Sequence, residues 1–99
     1  MEDTLPVRLT SVAVADLDRG WEWCRARDPA AADVWKQGLQ AAVMSLALMP
    51  ERCPPAPEAE GLGQQVLALV FGRLLRCRVL FRIAQDGVTV LTIRHDATA

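Results

Sequence analysis

Arginine side chains are concentrated in the last third of this sequence, and their spacing suggests a binding site. Residues 61–95 carry a single acidic side chain, that of Asp86, but five arginines, at positions 73, 76, 78, 82 and 94. Guanidinium groups stay charged and present a planar fork of donors that matches the oxygens of carboxylates and phosphates. The cluster therefore predicts a site for phosphate or for an acidic partner surface. The alternative is an ordinary solvated face that acidic residues from the first part of the chain neutralise.

His95 is the only histidine, and its unperturbed pKa would suit a general acid or base. No Ser, Cys or carboxylate stands in a triad relation to it, so we favour the interpretation of a polar residue at a strand end. Cys77 alternates with Val79 and Phe81 and is predicted to lie in the core. None of the three cysteines has the spacing of a metal ligand. We therefore expect neither a metal nor a cofactor.

The composition predicts one folded domain over residues 1–99. The chain has 99 residues, of which 52% are hydrophobic and 23% charged, values typical of a globular protein. The net charge of −1 argues against general nucleic-acid binding. The N-terminal Met-Glu-Asp-Thr is acidic where a signal peptide is positive, and the longest apolar run, 66–71, is too short to cross a membrane. We expect a soluble, cytoplasmic protein.

Two helices should precede the arginine-rich part. A short strand is predicted over 5–9, at a sheet edge because Pro6 lacks an amide donor. Thr10 and Ser11 are residue types that cap helices, and helical spacing predicts a helix over 11–27 after them. Asp28-Pro29 begins a second helix over 29–49. Four prolines between Pro50 and Gly63 predict a stiff connector.

Three strands should follow the connector, over 66–71, 76–84 and 88–95. In the second of these, Arg76, Arg78 and Arg82 fall on the face opposite Cys77, Val79, Phe81 and Ile83. Leu91 and Ile93 are the best core candidates of the last strand, and Val90, Thr92 and Arg94 then share the other side. A three-residue turn at 85–87 with Gly87 in a left-handed conformation satisfies both patterns, with the pairs 84 with 88, 81 with 91, 79 with 93 and 78 with 94.

Trp21 and Trp23 are about 200° apart around the first helix, so both cannot face the same partner. One interpretation is that one packs on the second helix and the other over the sheet. The other is an exposed apolar surface that binds a partner helix.

The order strand, helical hairpin, proline connector and three-stranded meander resembles the RelE/ParE toxins of bacterial type II toxin–antitoxin systems. The similarity covers nearly the whole chain. The motifs that carry it are Ala15-Asp16-Leu17 with Trp23, Pro29-Ala30-Ala31 with Trp35, Pro50-Glu51-Arg52-Cys53-Pro54 with Ala56-Pro57-Glu58, Arg78-Val79-Leu80-Phe81-Arg82-Ile83, and Val90-Leu91-Thr92-Ile93-Arg94-His95. The resemblance implies an α+β fold in which the helical hairpin packs on a small, mainly antiparallel sheet.

The resemblance is closer to the ParE branch than to the RelE branch. RelE-type toxins cleave messenger RNA with lysines on the strand before the Arg78 strand, a strand arginine, and basic or tyrosine residues near the C-terminus. Arg78 matches the arginine, but the 66–71 strand has no lysine, the sequence has no tyrosine, and no basic residue follows His95. ParE-type toxins inhibit DNA gyrase without a recognised catalytic set. Both branches are neutralised by an antitoxin that wraps the toxin.

We therefore predict a ParE-like toxin with an antitoxin partner, DNA gyrase as the implied target, and assembly as a toxin–antitoxin hetero-oligomer. Neither a membrane nor a nucleic acid is expected as a direct ligand. The predicted binding residues are Arg76, Arg78, Arg82, Arg94, Trp21 and Trp23. The alternatives are a RelE-like ribonuclease, which would use Arg78, Arg82, Arg94 and His95, and a degenerate member that only binds antitoxin.

Overall fold

The computed structural model describes residues 4–59, 61 and 65–95 and shows an α+β fold. The predicted connector therefore falls partly outside the described residues, at 60, 62 and 63. In chain order the elements are strand β1 (Val7–Leu9), helices α1 (Ser11–Arg25) and α2 (Pro29–Met44), and strands β2 (Leu67–Phe71), β3 (Cys77–Ala84) and β4 (Gly87–His95). Short 3₁₀ turns at Ser45–Ala47, Pro50–Arg52 and Pro57–Ala59 lie between α2 and β2. No helix of the described ranges is long and apolar enough to cross a membrane.

Side-chain caps start both helices where the sequence predicts them. The Thr10 hydroxyl accepts a hydrogen bond from the Ala13 amide, and the Asp28 carboxylate accepts one from the Ala31 amide, each at 3.1 Å. Pro29 follows as the first residue of α2, where its missing N–H is not needed. These caps fix a connection of three residues, 26–28, between the two helices.

Both helices end earlier than predicted. α1 ends at Arg25 and not at 27, because Asp28 must adopt an extended conformation to cap α2. α2 ends at Met44 and not at 49. The residue before a proline avoids the α-helical region, and Met49, which precedes Pro50, has φ 49° and ψ 54°. The apolar periodicity up to Met49 therefore misled the prediction of the helix end.

The four strands form one mixed sheet in the order β1-β4-β3-β2. The meander of β2, β3 and β4 is antiparallel, and β1 pairs in parallel with β4 at the edge, where Pro6 favours it. β1 begins at Val7 and not at residue 5, because the Leu5 amide bonds to the Ala47 carbonyl at 2.9 Å instead of to a strand.

The register of the last hairpin is predicted correctly at one end and wrongly at the other. Arg78 pairs with Arg94 and Val79 with Ile93, as predicted. At the turn, however, Ala84 pairs with Gly87, so the loop has two residues and not three. The extra residue lies inside the strand, where Leu80 pairs with Thr92 and Phe81 with Val90, which leaves Leu91 as a bulge.

The bulge reverses the predicted roles of two neighbouring residues. A bulged residue shifts the alternation of faces by one, so Val88, Val90 and Ile93 are buried in the main core between sheet and helices. Leu91 instead packs half-buried on the other face. The prediction that Leu91 belongs to the core and Val90 to the arginine side was therefore wrong. Ile83, assigned to the core face, is 37% exposed near the end of β3.

Candidate functional site

The sheet face opposite the helices carries the arginines and is called the arginine face below. Cys77, Val79 and Phe81 are fully buried in the main core, so Arg78 and Arg82 project from the opposite face of β3. The register adds Arg94 from β4, directly across from Arg78. Arg76 lies just before β3 and is exposed. The structure thus brings Arg78, Arg82 and Arg94 onto one face, and whether they bind a partner stays a prediction.

Arg78 is held by a carboxylate from the connector. Its Nε donates to Glu58 Oε2 at 2.6 Å and its terminal Nη2 donates to Glu58 Oε1 at 2.9 Å. This two-bond geometry is the preferred arrangement of guanidinium and carboxylate. The hydrogen bond from Arg78 lowers the pKa of Glu58, and the positive charge of Arg94 acts in the same direction. Glu58 therefore offsets the repulsion of two arginines directly opposite each other, which costs about 0.2–1 kcal/mol in such pairs.

The connector covers the middle of the arginine face with small residues. Ala56, Ala59, Val66, Ala68 and Leu80 form a second buried cluster there. The Ala56 amide bonds to the Val66 carbonyl at 2.7 Å and the Ala68 amide to the Pro54 carbonyl at 2.9 Å, which tie the connector to the approach to β2. This packing carries Glu58, on the turn Pro57–Ala59, to Arg78.

A second basic row crosses the same face nearer the hairpin turn. Arg8 on β1 and Arg82 on β3 both pair in register with Thr89 of β4, which lies between them. Arg8 Nη2 lies 3.2 Å from Asp86 Oδ2 in an exposed ion pair. The sequence interpretation missed Arg8 and Glu58 because both are far from residues 76–94 in the chain. A prediction that β1 pairs with β4 would have placed Arg8 beside the arginine face.

His95 lies on the opposite side of the sheet from these arginines. It pairs with Cys77 in the register, and its ring packs beside α1 and α2, 6.5 Å from the ring of Trp35 between centroids. Its Nε2 is buried and has no hydrogen-bond partner within the part of the chain that the structure describes. Burial lowers the pKa of His95, Asp16 acts against this shift and Arg19 adds to it. The predicted ribonuclease set of Arg78, Arg82, Arg94 and His95 is therefore not assembled on one surface.

Trp21 and Trp23 are both partly buried against the main core. The Lys36 ammonium of α2 lies 3.9 Å from the centre of the Trp21 ring, and the Arg27 guanidinium lies 3.5 Å from that of Trp23. Trp21 therefore contacts the second helix, as one interpretation predicted. Arg25 also lies over the Trp21 ring, 4.8 Å from its centre, so both indoles contact cations; the role of the two tryptophans in binding a partner stays a prediction.

Two apolar grooves flank α2. One, of about 700 Å³, lies between α2 and the edge strand β2 and is bordered by Val34 and Val70. Val34 is 72% exposed. The other, of about 450 Å³, lies between the helices next to β1 and is bordered by Val14 and Met44. Exposed apolar patches are typical of surfaces that bind a protein, a ligand or a membrane.

The thiols lie in the core and lack the setting of nucleophiles. Cys77 is fully buried and its Sγ donates to the Phe71 carbonyl at 3.4 Å. Burial raises the pKa of Cys24 and of Cys53, which disfavours the reactive thiolate. Among the described residues, no group of three His, Cys, Asp or Glu side chains is placed to hold a metal ion.

Comparisons with known proteins agree with this architecture. The solved structure of the chromosomal ParDE TA system from P. aeruginosa matches with a TM-score of 0.77 and 22% sequence identity, over 95% of this chain and 98% of the other. At that identity the similarity shows the fold. A search of curated protein sequences finds no match. A family model described as the ParE toxin of the type II toxin–antitoxin system parDE matches residues 7–99. The chain therefore belongs to the ParE toxin family of type II toxin–antitoxin systems.

Proposed function

We propose that this chain acts, as one domain, as a ParE-like toxin that arrests growth by binding a protein target, DNA gyrase by resemblance, and that a cognate antitoxin neutralises it. The observation that carries the proposal is the ParE family match over residues 7–99. The similar solved structure is that of a ParDE TA system, which supports an antitoxin as the partner. The apolar grooves beside α2 supply surface for it.

Charge also favours a protein partner over a nucleic acid. The net charge of −1 gives little of the counterion release that drives general nucleic-acid binding. The arginine face is already partly neutralised, by Glu58 at Arg78 and by Asp86 at Arg8. An acidic protein segment can replace such carboxylates one at a time.

The chemistry of the arginine face supports binding more than RNA cleavage. General acid–base catalysis needs a positioned donor and acceptor, each contributing about 10²–10⁴-fold. Arginine stays protonated and is a poor acceptor. Among the described residues, Glu58 is the carboxylate that binds Arg78, and its lowered pKa makes it a weak base. His95 lies on the far side of the sheet.

The test combines growth, gyrase and message integrity. Induced expression should arrest growth, the purified chain should block supercoiling of relaxed plasmid by DNA gyrase, and translated messages should stay intact. Arg78→Ala and Arg94→Ala should weaken inhibition more than Arg73→Ala does, because Arg73 is exposed and borders the groove between α2 and β2. Co-expression of the protein encoded by the adjacent gene should restore growth.

Other outcomes would replace this proposal. Site-specific cleavage of translated messages, lost in both Arg78→Ala and His95→Ala, would establish the RelE-like ribonuclease. Antitoxin binding without growth arrest, gyrase inhibition or cleavage would indicate a degenerate member.

A further inference from the structure

Glu58 and Arg78 make a contact whose geometry is that of a bound ligand. The carboxylate accepts two hydrogen bonds from one guanidinium, at 2.6 Å and 2.9 Å. A planar carboxylate from any other chain that approached Arg78 in this way would make the same two bonds. The chain thus presents, on its own connector, the functional group that its arginine face is built to bind.

Arg94 supplies a second positive charge next to the Glu58–Arg78 pair. Arg94 is directly across from Arg78 in the register and is exposed. Its charge reaches Glu58, where it contributes to the lowered pKa of the carboxyl group. Among the described residues, the Glu58 carboxylate thus interacts with both guanidinium groups, and a partner with two acidic side chains would offer one carboxylate to each arginine.

Glu58 is placed so that it can be exchanged. The side chains of Arg78 and Glu58 remain 29% and 25% exposed, so a ligand can reach them from solvent. The two-bond geometry is the surface arrangement that contributes most, so a ligand must offer a carboxylate of comparable geometry to replace Glu58. The turn Pro57–Ala59 is anchored through the buried Ala56 and Ala59, and rotation of the Glu58 side chain leaves those contacts in place.

We propose that Arg78 and Arg94 form a carboxylate-binding site that Glu58 occupies in the free chain, and that acidic side chains of the antitoxin displace Glu58 when the complex forms. This inference rests on the proposed function for the identity of the partner. The inference adds three points to the proposed function: the ligand is a carboxylate, Arg78 and Arg94 bind it, and Glu58 competes with it inside the free chain. Because the internal ligand is a carboxylate and the chain is net negative, we place a protein carboxylate, and not an RNA phosphate, in the site.

The central experiment compares Glu58→Gln with Glu51→Gln. Both substitutions remove one negative charge from the connector, but Glu51 is exposed on the turn Pro50–Arg52, whereas Glu58 lies on the turn Pro57–Ala59 and binds Arg78. A neutral amide competes poorly for Arg78, so Glu58→Gln should bind a hexaglutamate peptide roughly two- to fivefold more tightly than the wild type. Glu51→Gln should differ from the wild type far less. The readout is titration of the full chain, following the Arg Nε–H signals by NMR.

A second set of variants assigns the effect to the site. In the Glu58→Gln background, Arg78→Lys should abolish the gain, because lysine cannot make the two-bond contact. Arg94→Lys should reduce it. Circular dichroism of each variant confirms that the fold is kept. The proposal is wrong if the wild type and Glu58→Gln bind the peptide with equal affinity. It is also wrong if the higher affinity of Glu58→Gln is kept when Arg78→Lys is added.

A third arm uses inorganic phosphate and the antitoxin from the adjacent gene. If Glu58→Gln increases the affinity for phosphate more than the affinity for hexaglutamate, the site binds phosphate and the carboxylate assignment is wrong. Antitoxin affinity should rise with Glu58→Gln and fall with Arg78→Lys. If the antitoxin binds all variants equally, the site plays no part in the complex and the inference is wrong while the toxin assignment stands. If no antitoxin binds the wild type, the proposed function fails, and the peptide titration still decides whether the carboxylate site exists.

Discussion

Asp16 is the buried carboxylate that holds α1 to the end of β4. It accepts hydrogen bonds from the Thr92 hydroxyl at 2.6 Å and from the Ile93 amide at 2.9 Å, and it forms an ion pair with Arg19. β1 pairs with β4 only as far as Val90, so beyond that residue the edge of β4 that faces away from β3 has no strand beside it among the described residues. Asp16 supplies the acceptor that a longer β1 would have provided.

Removal of this carboxylate should destabilise the fold. Asp16→Ala leaves a buried N–H without a partner, and we expect the free energy of unfolding to fall by about 2–3 kcal/mol. The matched control is Asp18→Ala, an exposed aspartate on the same helix, which should change it by less than about 0.5 kcal/mol. Urea denaturation measures both. Similar losses in the two variants would show that the Asp16 bonds contribute nothing specific.

The stability of the fold should fall in mild acid because of His95. Burial lowers its pKa in the folded chain, whereas the unfolded chain has the ordinary value of about 6.5. Below that pH the unfolded state binds the proton more readily, so the contribution of neutral His95 is complete above about pH 6.5 and is lost as the pH falls towards the folded pKa. Asp16 and Arg19 are the charged groups that act on the ring.

The measurement is the free energy of unfolding at pH 7.5 and 5.5. It should be lower at pH 5.5 in the wild type, and His95→Gln should show a smaller decrease. The pKa of Glu58 is lowered by Arg78, so that ion pair stays charged over the same range. A wild-type protein that is as stable at pH 5.5 as at pH 7.5, or more stable, would contradict the assignment of this pH dependence to His95.

At the scale of elements, Gly20 sets how closely α1 approaches β4 and α2. A Cβ at this position would lie 2.5 Å from His95 Nε2 and 2.7 Å from Trp35 Cη2, distances that are too short for either contact. Gly20→Ala should therefore destabilise the protein by roughly 1–3 kcal/mol, although alanine is the better helix former by about 1 kcal/mol.

A double-mutant cycle checks the origin of that loss. His95→Ala removes one of the two clashing groups, so the cost of Gly20→Ala should be smaller in the His95→Ala background. Additive losses would mean that the His95 contact does not limit the approach of α1. Thermal and urea unfolding of the four proteins give the comparison.

Trp35 sets the position of α2 against the meander of β2, β3 and β4. Its indole N–H donates to the Leu75 carbonyl at 2.8 Å in a buried hydrogen bond. The bond fixes the turn between β2 and β3 on the second helix. The groove between α2 and β2 thus has one rigid wall, which suits a surface that binds a partner with little rearrangement.

At the scale of the whole molecule, the proposed antitoxin should add much of the stability. A small chain buries a limited fraction of its surface, and this one exposes apolar side chains such as Val34 and Met49, at 72% and 69%. A partner present at about 100 times its Kd would add about 2.7 kcal/mol. For a domain of this size that raises the Tm by roughly 10–20 °C.

Differential scanning fluorimetry with increasing antitoxin measures this shift. An antitoxin that lacks the segment wrapping the toxin serves as the control and should leave the Tm unchanged. An unchanged Tm with the intact antitoxin would contradict the proposed partner.

The sequence alone determined those features of this protein that arise from neighbouring residues. The caps at Thr10 and Asp28, the proline-rich connector, the α+β element order and the pairing of Arg78 with Arg94 all follow from local residue types and from alternation, and all are present. The family resemblance carried by the same motifs was confirmed. The chemical character of the arginine face could be predicted because period-two alternation assigns faces without any knowledge of distant contacts.

The tertiary structure decided what depends on contacts between distant parts of the chain. The bulge at Leu91 exchanges the roles of Val90 and Leu91, because a strand with apolar residues at consecutive positions has two registers that alternation cannot separate. Glu58 reaches Arg78 only because the connector folds across the sheet, 20 positions away in the chain. His95 lies on the helix side of the sheet because it pairs with Cys77 and points to the same face. The partners of each charged group are set by packing, and packing is not encoded in local spacing.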